Sequence, residues 1–527
     1  MSSYIKSAGI LAIGGIISKL LGLFFKIPIG RILDSYGYGL YYNSYNIYNL
    51  LLTMSIVGIP VAISKMIAER ASVKNYHGVY NVYKISMAVL IVIGGASSAF
   101  LFFGADWIIK AADWDQGSYY AIIGLAAAPF FVSIMCAIRG FFQGMQMMKP
   151  TAISQIIESF VRVIFGITLC IYLTNEFGQA QGAGGASAGA SIAAVATTIF
   201  LIFTFVVFMR DFSKKMKNSK DKFKKESSKK ILKRLFDIAV PVTLASAFVA
   251  LLGIVNSFTY VSRLGVAGID SKMATILFGD FGLGQTMINV PLTFSSAMSL
   301  TLVPAVSASF ALNDIPSIRR KTELGIRVML LISLPSAIGL SIYSQPIFDL
   351  LFPAAHSGGA ILKYLAFSVI FIMIGNILQS VLQALDKFRI PVINLFIALI
   401  VKYILNYVLM SIPDIHIFGM VISNIGAFAV TALLNYIAIK RYVEIRLDTL
   451  QTIIKPLIAS TIMGAFGIIF YRILSGIIPS GINVLISISL CIIVYFVTLI
   501  LIKGITREEL ILMPGGKKII DRLGDRI

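Results

Sequence analysis

Lys19 and Lys26 lie inside the apolar run Ser7 to Gly30 (SAGILAIGGIISKLLGLFFKIPIG), and Arg31 follows directly. A run of this length can cross a bilayer, which needs roughly 20 mostly apolar residues. A cation at that depth costs at least about 2.5–3.5 kcal/mol on insertion scales, so it belongs on a bundle interior or a watery cavity and not against lipid. A spacing of seven is close to two helical turns and puts both lysines on one face. The residues therefore predict a hydrated, cationic interior within a membrane.

Other charges fall inside apolar runs. Glu158 and Arg162 are four apart, so they can pair on one helix, either as a lobe-stabilising ion pair or as a pair that switches during transport. Lys402 has no acid at helical spacing, and Asn406 is its only local polar companion. It can neutralise a helix end or line a side pocket.

These charges need a scaffold, and the composition indicates which kind. Of 527 residues 57% are hydrophobic and 13% charged, with a mean hydropathy of +0.88, which is a polytopic membrane protein and not a soluble globule. The net charge of +21 is not a nucleic-acid footprint, because the basic residues sit between apolar runs and not along a soluble face. Three cysteines, Cys136, Cys170 and Cys491, each lie in an apolar segment and suggest packing, with neither a disulfide framework nor a metal cluster. Fourteen apolar runs have spanning length, from 7–30 to 481–502. The eighth, 274–310, contains Pro291 and Pro304 and is expected to start in a loop or to kink. The first run continues into further membrane segments, so no cleavable signal peptide is expected.

With the N-terminus inside, most of the 45 Lys and Arg fall on the cytoplasmic side, and four (Lys19, Lys26, Arg162 and Lys402) lie within spans. The positive-inside rule then places both termini in the cytoplasm. The segment 210–234 carries twelve basic and three acidic residues and is expected to be a solvated linker over anionic lipid. It divides the chain into a first lobe, 1–209, with six spans, and a second, 235–440, with six more. Residues 441–527 add two spans and a cytoplasmic tail.

The lobes echo each other. RGFFQGMQMMKPTAISQIIESFVRVI (139–164) and QSVLQALDKFRIPVINLFIALIVKYI (379–404) both place a Gln, a basic turn with Pro, and a cation 19 residues after the Gln, at Arg162 and Lys402. A second echo links VGIPVAIS (57–64) with LVPAVSAS (302–309). Repeats in the same direction six spans apart have parallel topology, which transporters use to set a site between two rocking halves.

The stretch 139–164, the segment GQTMINVPLTFSSAMSLTLVPAVSASF (284–310) and the opening SKLLGLFFKIPIGRILDSYGYGLY resemble the polysaccharide-transport branch of the multidrug/oligosaccharidyl-lipid/polysaccharide exporter superfamily. Within it the chain is most similar to the stage V sporulation protein B-like group, which includes Gram-positive lipid II flippases. The resemblance implies an all-α fold of two six-helix lobes around a central cavity plus two C-terminal helices, in the bacterial plasma membrane. It implies a cargo, an undecaprenyl-diphosphate-linked saccharide moved to the outer leaflet by alternating access. Cell-wall synthesis machinery stays open as a partner beside membrane lipids. The resemblance maps Lys19 onto a cavity arginine of the first helix, keeping the charge and losing the bidentate fork. It makes Lys26, Arg31 and Arg263 further cavity cations.

Asp280 and Gln285 are expected at the start of the eighth helix, meeting sugar hydroxyls or, for Asp280, capping the helix. Asn256 is a milder polar candidate in the seventh span. Tyr36, Tyr38, Tyr41, Tyr42, Tyr45 and Tyr48 cluster between the first two spans, as an interfacial belt or as stacking partners for sugar rings.

No cofactor, metal or ATP motif is expected: glycines 178, 182, 184 and 185 fall in a presumed outer loop and His77, His356 and His416 are scattered. Two other classes remain as alternatives. An ion-coupled multidrug exporter wants an intramembrane carboxylate, and the first lobe offers only Glu158. A membrane-embedded glycan polymerase or glycosyltransferase wants outer carboxylates, and only scattered acids such as Asp106, Asp113 and Asp115 are present.

Overall fold

The computed structural model describes residues 2–56, 58–218 and 226–505. The centre of the basic linker (219–225) and the tail from 506 onward lie outside the described residues. All regular structure among the described residues is helical. Clustering of the backbone divides the chain into two compact units, Met1–Gly279 and Asp280–Ile527.

The first unit begins with α1 (Ser2–Ile32), α2 (Asp34–Ile56), α3 (Gly58–Ser72), α4 (Tyr76–Phe103) and α5 (Ala105–Ala111). It continues through α6 (Ser118–Ala126), α7 (Ala128–Gly144), α8 (Met148–Phe177), α9 (Gln179–Asn218) and α10 (Ser228–Val266). α11 (Ser271–Ala311) starts in the first unit and carries the boundary within it. The second unit holds α12 (Ile315–Ile342), α13 (Ser344–Leu351), α14 (Gly358–Leu365), α15 (Ser368–Ala384), α16 (Arg389–Leu409) and α17 (Ile417–Lys440). A π-helical turn (Leu450–Ile454) leads into α18 (Lys455–Leu474), and α19 (Ser480–Leu501) follows.

Twelve helical segments among the described residues are long and apolar enough to cross a membrane, and α14 with α15, bent by 43°, makes a thirteenth. α1 carries the first apolar run over 31 residues. The runs read from sequence therefore all fall on helices.

The eighth run is a single helix in which Pro291 and Pro304 lie inside, and its start is Ser271, where the Asp270 carboxylate accepts the Lys272 and Met273 N–H groups. Asp280 is thus nine residues into α11, and the capping role expected of it belongs to Asp270.

Helix ends follow local chemistry. Asn75 and Asp314 accept the backbone N–H of Gly78 and Ser317 and cap α4 and α12. Gly178, at φ +98°, separates α8 from α9, a conformation that favours glycine. The expectation of an outer glycine loop fails beyond this residue. Gly182, Gly184 and Gly185 lie inside α9, where a Cβ on Gly185 would meet the Leu169 carbonyl of α8. Small residues let two backbones approach in a medium that offers no hydrophobic drive between helices.

The repeat has a geometric counterpart inside each unit. α7 and α8 join through Gln146 at φ +60°, whose N–H donates to the Gln143 carbonyl while Met147 N–H reaches Phe142 O. α15 and α16 join through Asp386 at φ +59°, with the same two bonds to Gln383 and Leu382. A second matching pair of turns centres on Lys74 (φ +58°) and Asn313 (φ +53°). These pairs are 240 and 239 residues apart. The VGIPVAIS and LVPAVSAS segments, 245 apart, are therefore out of register with the repeat.

Cores are aromatic and aliphatic. Tyr83, Phe141, Phe142, Phe205, Phe208 and Phe212 interlock between α4, α7 and α9, most of the pairs edge to face and Phe208 stacked on Phe212. Polar seams stitch other pairs. α2 meets α10 through Asn43 to the Tyr260 hydroxyl (2.7 Å) and Asn46 to Ser257 (2.9 Å).

Candidate functional site

Four charges of the first unit, Lys26, Arg139, Glu158 and Arg162, gather on α1, α7 and α8 beside α2. The turn at Gln146 folds α7 back along α8, so residues about equally far from it face each other. Arg139, seven before the turn, donates through Nε to Ser154 Oγ at 2.9 Å. One helical turn further along α8, the Glu158 carboxylate accepts Arg139 through Oε2 and Arg162 through Oε1, both at 3.0 Å. The side chains of this triad keep 13%, 19% and 23% of their surface exposed for Arg139, Glu158 and Arg162. They are half-buried.

α2 supplies the aromatic wall. Tyr38, Tyr41, Tyr42, Tyr45 and Tyr48 recur at helical spacing, and their rings stack along the helix at centroid separations of 5.6–6.2 Å. Tyr38, Tyr41 and Tyr48 are buried at 0%, 3% and 1% exposure. This corrects the expectation of an interfacial belt between two spans, because the tyrosines belong to α2 itself and face into the unit. Lys26 of α1 sits over the Tyr45 ring at 5.4 Å, a cation–π contact that holds the ammonium without neutralising it. Tyr48, Tyr45 and Tyr41 lie within electrostatic range of the Arg162 guanidinium, after its Glu158 partner.

The cluster carries three cations, Lys26, Arg139 and Arg162, against one carboxylate, Glu158. Several polar atoms in these helices are buried without a hydrogen-bond partner: Ser18 Oγ, Tyr48 OH, Gln155 Oε1 and Arg162 Nε. Buried polar groups are normally satisfied, so such a group calls for water or a ligand. An excess of positive charge beside unfilled donors is an arrangement that can hold an oxyanion.

The other sequence candidates fall as follows. Lys19 is exposed on α1, two turns before Lys26, and Arg31 is exposed in the last turn of the same helix. Among the described residues no acid pairs with Lys19, Lys26 or Arg31. Asn256 is buried on α10, beside Ser257, whose carbonyl accepts the Trp114 indole N–H at 2.6 Å. Arg263 is half-buried near the end of α10.

Asp280, Gln285 and Lys402 belong to the second unit. The buried Asp280 carboxylate accepts the Ser357 N–H at 3.1 Å, and Gln285 is half-buried. Lys402 is 1% exposed and donates to Asn424 Oδ1 at 2.9 Å. It is one rung of a seam between α16 and α17 whose other rungs are Asn394 to Asn435 and Ser423 to Asn406.

Arg139 was missed by the sequence reading because it stands near the end of its span. The signal was the repeated unit itself, in which the turn after Gln143 folds Arg139 onto the helix of Glu158.

The sequence model of a family described as "Polysaccharide biosynthesis protein" matches residues 4–310. The chain is similar to the lipid II flippase MurJ of Bacillus subtilis, 26% identical over 481 residues that cover 88% of this chain and 87% of the relative. It is 24% identical to stage V sporulation protein B of the same organism over 451 residues, 84% and 85% of the two chains. Among solved structures, lipid II flippase MurJ in an inward closed conformation has a TM-score of 0.64 at 16% identity, covering 93% of this chain and 97% of that one. A multidrug resistance MATE family transporter of the MOP superfamily, inward-facing, has the same TM-score and identity, covering 82% and 98%. The fold is that of these multi-pass membrane transporters.

Proposed function

Because this chain belongs to the polysaccharide biosynthesis protein family, we propose that it is a flippase that moves an undecaprenyl-diphosphate-linked saccharide, lipid II or a related cell-wall or spore-cortex precursor, to the outer leaflet. The observation that carries this is the surplus of cations in the cluster of the first unit, where Lys26, Arg139 and Arg162 stand against Glu158 and Lys19 lies two turns before Lys26 on the same helix. Membrane-embedded charge is costly, so a surplus of one sign fits a cargo of the opposite sign. A diphosphate is such a cargo, and its isoprenoid tail stays in lipid while the polar head crosses.

Lys19 and Lys26 capture the diphosphate, the tyrosine wall of α2 offers stacking faces to sugar rings, and Arg31 and Arg263 attract the head group at helix ends. Asn256, Asp280 and Gln285 supply hydrogen bonds to hydroxyls. The lobes 1–209 and 235–440 alternate in access, with both termini in the cytoplasm. Export of a cationic drug fits less well, because Glu158, the acid it would use in the first lobe, already holds two arginines.

The test is reconstitution. Vesicles containing the purified chain are expected to move a fluorescent lipid-linked disaccharide to the face accessible to a quencher, and Lys26→Ala is expected to slow this about tenfold or more. Equal flipping by wild type and by a Lys19→Ala/Lys26→Ala variant refutes the assignment.

A further inference from the structure

We propose that Glu158 is an internal stand-in for the cargo's phosphate, occupying Arg162 until an incoming oxyanion takes its place. For the carrier of that oxyanion the inference rests on the flippase reading, while the exchange itself rests on geometry.

Glu158 divides its two oxygens between two arginines, each at 3.0 Å. The two contacts are not equivalent. Arg139 is also anchored through Nε to Ser154 and is the less exposed of the two, at 13%. Arg162 is held by Glu158 through one terminal nitrogen, is 23% exposed, and keeps a buried Nε with no partner among the described residues. Arg139 with Ser154 is the fixed half of the triad, and Arg162 is the half free to exchange.

A second group points to the same place. The Tyr48 hydroxyl is buried without a partner on a residue 1% exposed, and its charged neighbours are Arg162 and Glu158. A hydroxyl and a guanidinium N–H, each buried and unfilled among the described residues and on side chains close enough to influence each other electrostatically, are two donors available to one acceptor. Lys26, over Tyr45 between Tyr41 and Tyr48 on α2, adds a third positive group that no acid neutralises.

A phosphate oxyanion can accept from Arg162 Nε, from the Arg162 terminal nitrogen released by Glu158, and from Tyr48 OH, while Glu158 stays on Arg139. The exchange trades one charge-assisted bond for several, so binding is favoured. It is also reversible, because Glu158 waits within reach to reclaim Arg162. Release is the step that a carrier needs as much as capture, and an unopposed cation cluster would retain its anion.

Inorganic pyrophosphate is the probe, titrated calorimetrically into the full-length chain in detergent at low salt, with thermal denaturation of each variant in parallel. Glu158→Gln removes the competitor and is expected to tighten pyrophosphate about tenfold, whereas Arg162→Gln is expected to abolish the response. In vesicles Glu158→Gln is expected to lower KM for the lipid-linked saccharide and also to lower kcat, because release slows.

Tyr48→Phe keeps the inference testable if Glu158→Gln does not fold. It removes a hydroxyl that bonds to nothing among the described residues, so its melting temperature is expected to match wild type while pyrophosphate affinity drops roughly tenfold. Unchanged or weaker affinity in Glu158→Gln, unchanged affinity in Tyr48→Phe, or no pyrophosphate binding by any variant overturns the exchange. A chain that flips its cargo yet shows one of these results keeps the transport reading and loses this one. Affinities that shift as expected in a chain that does not flip refute the transport reading alone.

Discussion

Lys402 offers the sharpest test of how charge is tolerated in this chain. Its ammonium is 1% exposed, donates to Asn424 Oδ1 at 2.9 Å, and belongs to no ion pair among the described residues. Replacing Lys402 with methionine of similar volume removes a mid-membrane cation, a gain of about 2.5–3.5 kcal/mol on insertion scales. It also gives up a hydrogen bond of about 0.6–1.7 kcal/mol in a membrane setting. The Asn424 oxygen is stranded as well, beside an Nδ2 that already lacks a partner, for about 1–3 kcal/mol. These terms nearly cancel, so Lys402→Met is expected within about 1 kcal/mol of wild type.

Asn424→Leu does the reverse. It keeps the buried cation and removes its acceptor, a loss of about 1.5–3 kcal/mol with nothing to offset it, which shifts the folded population by a factor of roughly 10–100. The double variant Lys402→Met/Asn424→Leu leaves neither charge nor stranded amide and is expected to regain wild-type stability or exceed it. SDS-titrated unfolding in mixed micelles reads all three. The reasoning is refuted if Lys402→Met loses as much as Asn424→Leu, or if the double variant is as unstable as the two losses added together.

Lys26→Arg is expected to keep most of the flipping that Lys26→Met loses, since charge and stacking on Tyr45 both survive in arginine; initial rates in vesicles decide this. Arg70, 6% exposed and bonded to Glu226 and the Met66 carbonyl, is expected to cost about 2 kcal/mol as Arg70→Met, by thermal denaturation. Arg234 with Glu69, 46% and 38% exposed, is expected to contribute under about 1 kcal/mol and to fade as salt is added. A Cβ on Gly279 would collide with the Ser35 carbonyl, so Gly279→Ala is expected to lower stability by about 1–3 kcal/mol, whereas Gly265→Ala, with open space around it, is expected to be neutral or slightly stabilising.

The helices were legible because lipid leaves the backbone few alternatives: every peptide group must bond within its own segment, so apolar runs of spanning length become helices. Pairing at i, i+4 made Glu158 with Arg162 equally legible, since helix geometry alone fixes it. What failed depended on facts that span two helices. The tyrosines were assigned to a boundary because α2 begins at Asp34, five residues before the apolar run becomes evident, and aromatic residues with one polar atom fit both a belt and an interior. Arg139 did not stand out in the sequence because its partner arrives only when the turn at Gln146 closes. Capping was one of the two roles expected of Asp280 because the polar start of α11, from Ser271, does not stand out as apolar.

The two hairpins of the repeat carry the argument one step further. α7–α8 and α15–α16 turn at Gln146 and Asp386 with the same left-handed residue and the same pair of backbone bonds. Shifted by the 240 residues that relate the turns, Arg139, Ser154, Glu158 and Arg162 correspond to Gln379, Asn394, Ala398 and Lys402. If the ion triad existed to hold the hairpin together, its counterpart would need the same device. It has none: the second hairpin keeps a lone cation on an asparagine and ties Asn394 to Asn435 of the next helix. The shared turn is therefore closed by its backbone, and the carboxylate between two arginines is an addition that the scaffold does not require. That leaves the carboxylate free to serve the exchange proposed for Arg162.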